Sequence, residues 1–200
     1  MRLNVTPVVW QLWCLAALAL ALLIAVDSDL RHRRVPNVLV LLMLFAGVTL
    51  NSAGPANGGG GLFSYFPGAL GARGALLGAM IGLGLFLPLY LLRAMGAGDI
   101  KLMAAIGSFA GPSETIGLAL STLVAGGVLA VIRMIWLQSS GRALANISLA
   151  FNSLAGRSDK GFDPATQTAD GMPYALAFAG GLLSYAYWRL TGGAPFVKVW

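Results

Sequence analysis

The 200-residue sequence predicts an all-α, polytopic membrane protein with about six transmembrane helices, forming one membrane-embedded domain over residues 1–200. Three observations carry this expectation. Hydrophobic residues make up 58% of the chain and charged residues only 10%, against about 25% charged in a soluble domain. That leaves too little polar surface to cover a globule in water. The apolar residues come in long blocks, without the alternation of a lipid-facing barrel strand. A helix satisfies its backbone hydrogen bonds within its own segment, so such blocks are expected to cross a bilayer as helices.

Residues 8–26 form an apolar run long enough to span, since about 20 residues cross the hydrocarbon. The apolar core of a secretory signal is shorter, about 7–15 residues. The run also ends in Asp27-Ser28-Asp29 followed by Arg31, Arg33 and Arg34, which reads as a retained first helix stopped by a cytoplasmic basic cluster. Val35-Pro36 restarts the chain, proline being suited to the first turn of a helix, and the second span is placed at 36–50. Residues 51–68, with Gly58 to Gly61, read as a flexible loop whose Phe63, Tyr65 and Phe66 rest at the interface. The third span covers 69–92, with glycines at 71, 74, 78, 82 and 84 that suit close helix packing in lipid. Met95 to Gly98 is expected to turn into a short fourth segment, 100–111, broken at Gly111-Pro112. The fifth span is 115–137. Residues 138–171 form the one long polar stretch, a cytoplasmic loop in which 143–154 suits an amphipathic surface helix, and the sixth span is 172–190.

The net charge is +6, yet no basic face with interleaved aromatics points to nucleic acid. Lysine and arginine instead report topology. With both termini outside, six crossings put Arg31, Arg33, Arg34, Arg93, Lys101, Arg133, Arg142, Arg157 and Lys160 at the cytoplasmic face. Only Arg2, Arg73, Arg189 and Lys198 fall outside, as the positive-inside rule requires. Cys14 is the single cysteine and His32 the single histidine, so neither an internal disulfide nor a Cys/His metal site is expected.

Seven acids remain: Asp27, Asp29, Asp99, Glu114, Asp159, Asp163 and Asp170. The last three lie in the polar loop, and Glu114 is expected to be solvated in an external turn. Asp27, Asp29 and Asp99 each sit at the membrane end of a span on one face, where an ionisable group is costly and marks a candidate functional site. Two carboxylates brought close share one proton. The ionised member then takes a proton from water while the protonated one polarises a peptide carbonyl. Gly96 and Gly98 would let the backbone bend tightly and let a substrate strand approach. Blander readings stand beside this one: Asp99 caps the fourth helix, Asp27 and Asp29 end the first or pair with its arginines, and Lys101 snorkels. A small transporter or ion pathway using the same aspartates would call for internal symmetry, which the sequence lacks. A non-catalytic subunit of a pilus or secretion assembly would use them only as caps.

GAGDIKLMAAIG, Gly96 to Gly107, resembles the GxGD signature of prepilin peptidases, which are membrane-embedded aspartic proteases. DLRHRRVPN, Asp29 to Asn37, resembles their first aspartate motif, and MPYALAFAGG, Met172 to Gly181, their late Pro-Tyr segment. The resemblance implies a GxGD aspartyl protease-like fold. It implies cleavage of the leader peptides of prepilins and pseudopilins at the cytoplasmic face of the inner membrane, with the bilayer and the pilin precursor as partners and no cofactor. By position, Asp29 and Asp99 would be the catalytic pair, supported by Gly96, Gly98, Lys101, Pro36 and Asn37, with Asp27 a bystander. Larger members of the family carry paired CxxC motifs and a methyltransferase activity. With one cysteine, this sequence is most similar to the short CpaA/TadV-like peptidases of Flp pili.

Overall fold

The computed structural model describes residues 6–55, 60–92, 95–136 and 174–195. They form six helices: α1 (Pro7–His32), α2 (Asn37–Ala53), α3 (Gly71–Leu91), α4 (Ala97–Ala110), α5 (Pro112–Trp136) and α6 (Tyr174–Leu190). Among the described residues the only β pairing is an isolated bridge between Gly61 and Gly68. The all-helical expectation therefore holds. The polar stretch 138–171, with its expected amphipathic helix, lies outside the described residues.

Composition explains why the outside of the bundle is as apolar as the inside. Leu20, Leu23, Leu41 and Phe45 are exposed, as expected where the solvent is lipid. Helices α1, α3 and residues Pro112–Arg133 of α5 are long and apolar enough to cross a membrane, and α2 is a shorter apolar helix. The 14 residues of α4 extend about 21 Å, short of the roughly 30 Å hydrocarbon core. It is instead wrapped by protein, and every residue from Leu102 to Ala110 is buried. Small residues make that possible. A Cβ at Gly78 would stand 2.1 Å from the Gly107 carbonyl oxygen, so α3 and α4 touch backbone to backbone. Of the other α3 glycines, Gly82 packs similarly against Met103, whereas Gly71 and Gly84 meet nothing.

Several boundaries differ from those expected. α1 runs on through the acidic and basic residues to His32, where Arg33 closes it in the left-handed conformation at φ 52°. The cost of carrying charge is avoided because these last turns lie beyond the apolar run. Pro36 is the N-cap of α2, outside its first turn, and α2 continues to Ala53, with the Ser52 hydroxyl donating to Val48 O at 2.6 Å. α4 begins at Ala97 rather than at residue 100, so Gly98 is helical and Gly96 is extended at φ −76°. Neither glycine makes the tight bend expected of it. The break between α4 and α5 is a single residue, Gly111 at φ 81°, and Pro112 opens α5 where its missing N–H is harmless.

The helices share two ends. One gathers the C-terminus of α1 and the N-termini of α2, α4 and α6. The other gathers the start of α1, the end of α2, the 60–70 loop and the α4–α5 junction; this closed end is tied by buried hydrogen bonds, with a smaller cavity of about 320 Å³ lined by Glu114 and Arg189 among others. Trp10 Nε1 donates to Leu50 O at 2.9 Å and Gln11 Nε2 to Leu62 O at 2.8 Å. Buried Asn51 donates to Ser108 O at 3.0 Å and Phe109 O at 3.2 Å, and accepts from Leu70 N at 3.2 Å. One side chain thus satisfies the orphaned carbonyls of α4 and an orphaned amide before α3. Phe63, expected at the interface, is buried edge-on against Tyr185 with ring centroids 5.7 Å apart. Tyr65 and Phe66 are exposed.

Glu114 overturns a second expectation. Only 4% of it is exposed. Arg189 grips it with Nη2 at 2.7 Å from Oε1 and Nε at 3.1 Å from Oε2, and the Tyr185 hydroxyl donates to the same carboxylate. A buried carboxylate needs such partners, and both come from α6, whose pairing with α5 the sequence could not reveal.

Candidate active site

The open end holds a cleft of about 650 Å³ lined by both Asp29 and Asp99. Helical geometry decides which acid of the first cluster faces it. Asp27 and Asp29 are two residues apart on α1, about 200° around the axis, so they face opposite ways. Asp27 points outward and pairs with Arg31 at 2.7 Å, both side chains being well exposed. Asp29 points inward and its Oδ2 accepts the Ala175 N–H at 3.0 Å. Ala175 lies in the first turn of α6, where backbone amides lack intrahelical partners, so the N-terminus of α6 aims at this carboxylate.

Asp99 sits in the first turn of α4, one residue before the apolar stretch. It is only 9% exposed, and its Oδ2 accepts the Gly96 N–H at 3.3 Å. The capping role therefore exists, but it occupies one oxygen of the carboxylate. A Cβ at Gly96 would stand 3.3 Å from that oxygen, so the glycine leaves room for the acid to turn back. Burial, together with the charge of Asp29 and against the Gly96 hydrogen bond, pushes the Asp99 carboxyl up to about 6.

The remaining residues singled out from the sequence divide cleanly. Gly96, Gly98, Lys101 and Asn37 line the cleft, whereas Pro36 does not. Lys101 Nζ donates to Asn37 Oδ1 at 3.2 Å, linking α4 to α2 across the mouth. Arg33 and Arg34 line the cleft as part of the expected basic rim, but Arg31 does not. Two polar lining residues were missed: Arg133, read only as a topology marker, and Tyr174, read only as part of a motif; the apolar Leu30, Val35 and Ala97 complete the lining. Four cations and two acids thus surround one opening, a potential that favours anionic partners. Among the described residues no group of three or more His, Cys, Asp or Glu side chains comes together.

Fold and site together define a class: an integral membrane protein of packed helices with two carboxylates on a polar cleft at one end. The comparisons supply the family. Residues 16–131 match the sequence model of the Type IV leader peptidase family. The match takes in more than half of the chain and both aspartates, and the chain belongs to that family. A prepilin leader peptidase/N-methyltransferase of Xanthomonas campestris pv. campestris is 31% identical over 141 residues, which are 66% of this chain and 43% of that protein. The chain thus spans less than half the length of this relative. No solved structure matches it.

Proposed function

We propose that the chain is an aspartic endopeptidase that removes the leader peptide from type IV prepilins and pseudopilins of the Flp type, using Asp29 and Asp99 to activate water. The observation that carries this reading is the meeting of the two carboxylates, one from α1 and one from α4, on a single cleft in a chain of this family. The ionised carboxylate takes a proton from water as its oxygen attacks the scissile carbonyl carbon. The protonated carboxyl gives its proton to the carbonyl oxygen. Collapse of the tetrahedral intermediate breaks the C–N bond: the leaving amine takes up the proton acquired from water, and one hydroxyl of the intermediate returns its proton to the other carboxylate as the new carboxyl group forms. Nothing in these steps needs a metal.

The basic residues support an orientation. Among the described residues the cleft end carries Arg31, Arg33, Arg34, Lys101 and Arg133, and the closed end carries only Arg73 and Arg189. Arg189 is moreover neutralised by Glu114. This favours a cleft at the cytoplasmic face of the inner membrane, six crossings and both termini outside. A pilin precursor would lie beside the bundle with its scissile peptide extended across Gly96 and Gly98. Single Asp29→Asn and Asp99→Asn variants, purified in detergent and mixed with an Flp-type prepilin, test the reading. Each is expected to lose cleavage by about 10³-fold or more. Normal processing by either one would sink the pair, and an ion pathway or an assembly subunit would then be the better account.

A further inference from the structure

Helix α6 ties the two ends of the bundle together. Near its C-terminus lies the clasp of Glu114, Arg189 and Tyr185. Along its length α5 and α6 are in steric register: a Cβ at Gly117 would strike the Tyr185 ring at 2.3 Å, and one at Gly181 the Thr122 backbone at 2.6 Å. Close packing of this kind has discrete arrangements and does not slide freely. Near the N-terminus, about 21 Å away along the axis, the Ala175 N–H donates to Asp29. Hydrogen bonds weaken steeply with distance and angle, so the axial position of α6 decides whether Asp29 receives that bond.

We propose that the Glu114–Arg189–Tyr185 clasp is a positioning device: it sets the register of α6 so that the Ala175 amide orients Asp29 in the cleft. The proposal rests on Asp29 and Asp99 being the reacting pair. None of the clasp residues lines the cleft, so the clasp acts only through α6. The charged and titratable groups facing Asp29 are Asp99 and Lys101 of α4, Arg33 and Arg34 beyond α1, Arg133 of α5 and Tyr174 of α6. The clasp variants leave all of them in place.

The test uses the full chain in micelles with an Flp-type prepilin, reading kcat and KM per folded molecule across pH. Glu114→Gln keeps the side-chain shape, and Tyr185→Phe removes one donor. Each is expected to lower kcat roughly tenfold with KM within about twofold, because a small misplacement at the reacting groups costs rate. The acid limb of the pair's pH profile should move upward, since a donor to the ionised form has been weakened. Ala175→Pro removes the donor itself, in a first turn where proline is tolerated. It should reproduce the loss, and adding Glu114→Gln to it should cost nothing more. Distant sites ordinarily add, so this lack of additivity is diagnostic. Unchanged kcat in folded clasp variants overturns the proposal, as does a loss that multiplies with that of Ala175→Pro or leaves the pH profile in place. Should Ala175→Pro not fold, the pH profiles of the clasp variants decide alone. Asp29→Asn, run alongside, tests the underlying pair separately: if it cleaves normally the pair is wrong, whatever the clasp variants do.

Discussion

The two ends of the bundle each bury an acid, and they treat it in opposite ways. Glu114 at the closed end has a bidentate arginine and a tyrosine hydroxyl, so its charge is matched and its lone pairs are used. Asp99 at the open end has one long hydrogen bond from Gly96 and faces the charge of a second acid. A buried carboxylate saturated with partners holds elements together. One placed beside a like charge is costly to the fold and available for proton transfer. Burial alone would have ranked the two acids as equals; their partners separate them.

Several measurements would break or sharpen that contrast. The largest effect on stability belongs to the closed end. Glu114→Ala leaves Arg189 buried without its carboxylate and should destabilise the protein by about 3–5 kcal/mol, seen as a lower unfolding midpoint in micelles. Asp99→Asn should not lower that midpoint at all, and a marked loss there would erase the distinction between the ends. Next in size is the pH dependence. The Asp99 carboxyl is raised from 3.8 to about 6 in the folded protein, so the fold prefers its protonated form. Its contribution is fully present below about 4 and is lost as pH rises through about 6. The difference between wild type and Asp99→Asn should therefore trace a stability loss on the order of 2–3 kcal/mol over that window. A flat difference would mean that Asp99 is better solvated than the structure shows.

Smaller again is Asn51→Ala, which strands the Leu70 amide and the last carbonyls of α4 and should cost about 1–3 kcal/mol, also read from unfolding. Smallest is Asp27→Asn. Its ion pair with Arg31 is exposed, so both stability and cleavage should change by less than about 0.5 kcal/mol. Loss of cleavage in Asp27→Asn alone would mean that the wrong acid of the first cluster had been assigned to the cleft.

Much of the site was legible in the chain because its residues are local signals. A carboxylate after Gly-Ala-Gly at the edge of an apolar run is conspicuous in a sequence with seven acids, and Asp29 stood out from Asp27 through the resemblance of the segment Asp29 to Asn37 to a prepilin peptidase motif. The all-helical membrane class followed from block hydrophobicity, which needs no tertiary information. The tight-bend role given to Gly96 and Gly98 failed because the helix starts earlier than the apolar run does, at Ala97. Hydropathy cannot place a first turn made of Ala, Gly and Asp.

Glu114 was misread for a different reason. Its partner Arg189 is 75 positions away, and no local pattern links them. Composition and spacing determined a helical membrane protein, the acids worth examining and the residues around Asp99, because lipid burial and motif spacing are properties of short segments. Only the tertiary structure decided which acid of the first cluster turns inward, that α4 is the enclosed centre of the bundle, and that α6 delivers an amide to Asp29. Those facts depend on rotation about helix axes and on long-range packing, where a single residue of register moves a side chain about 100° around its helix.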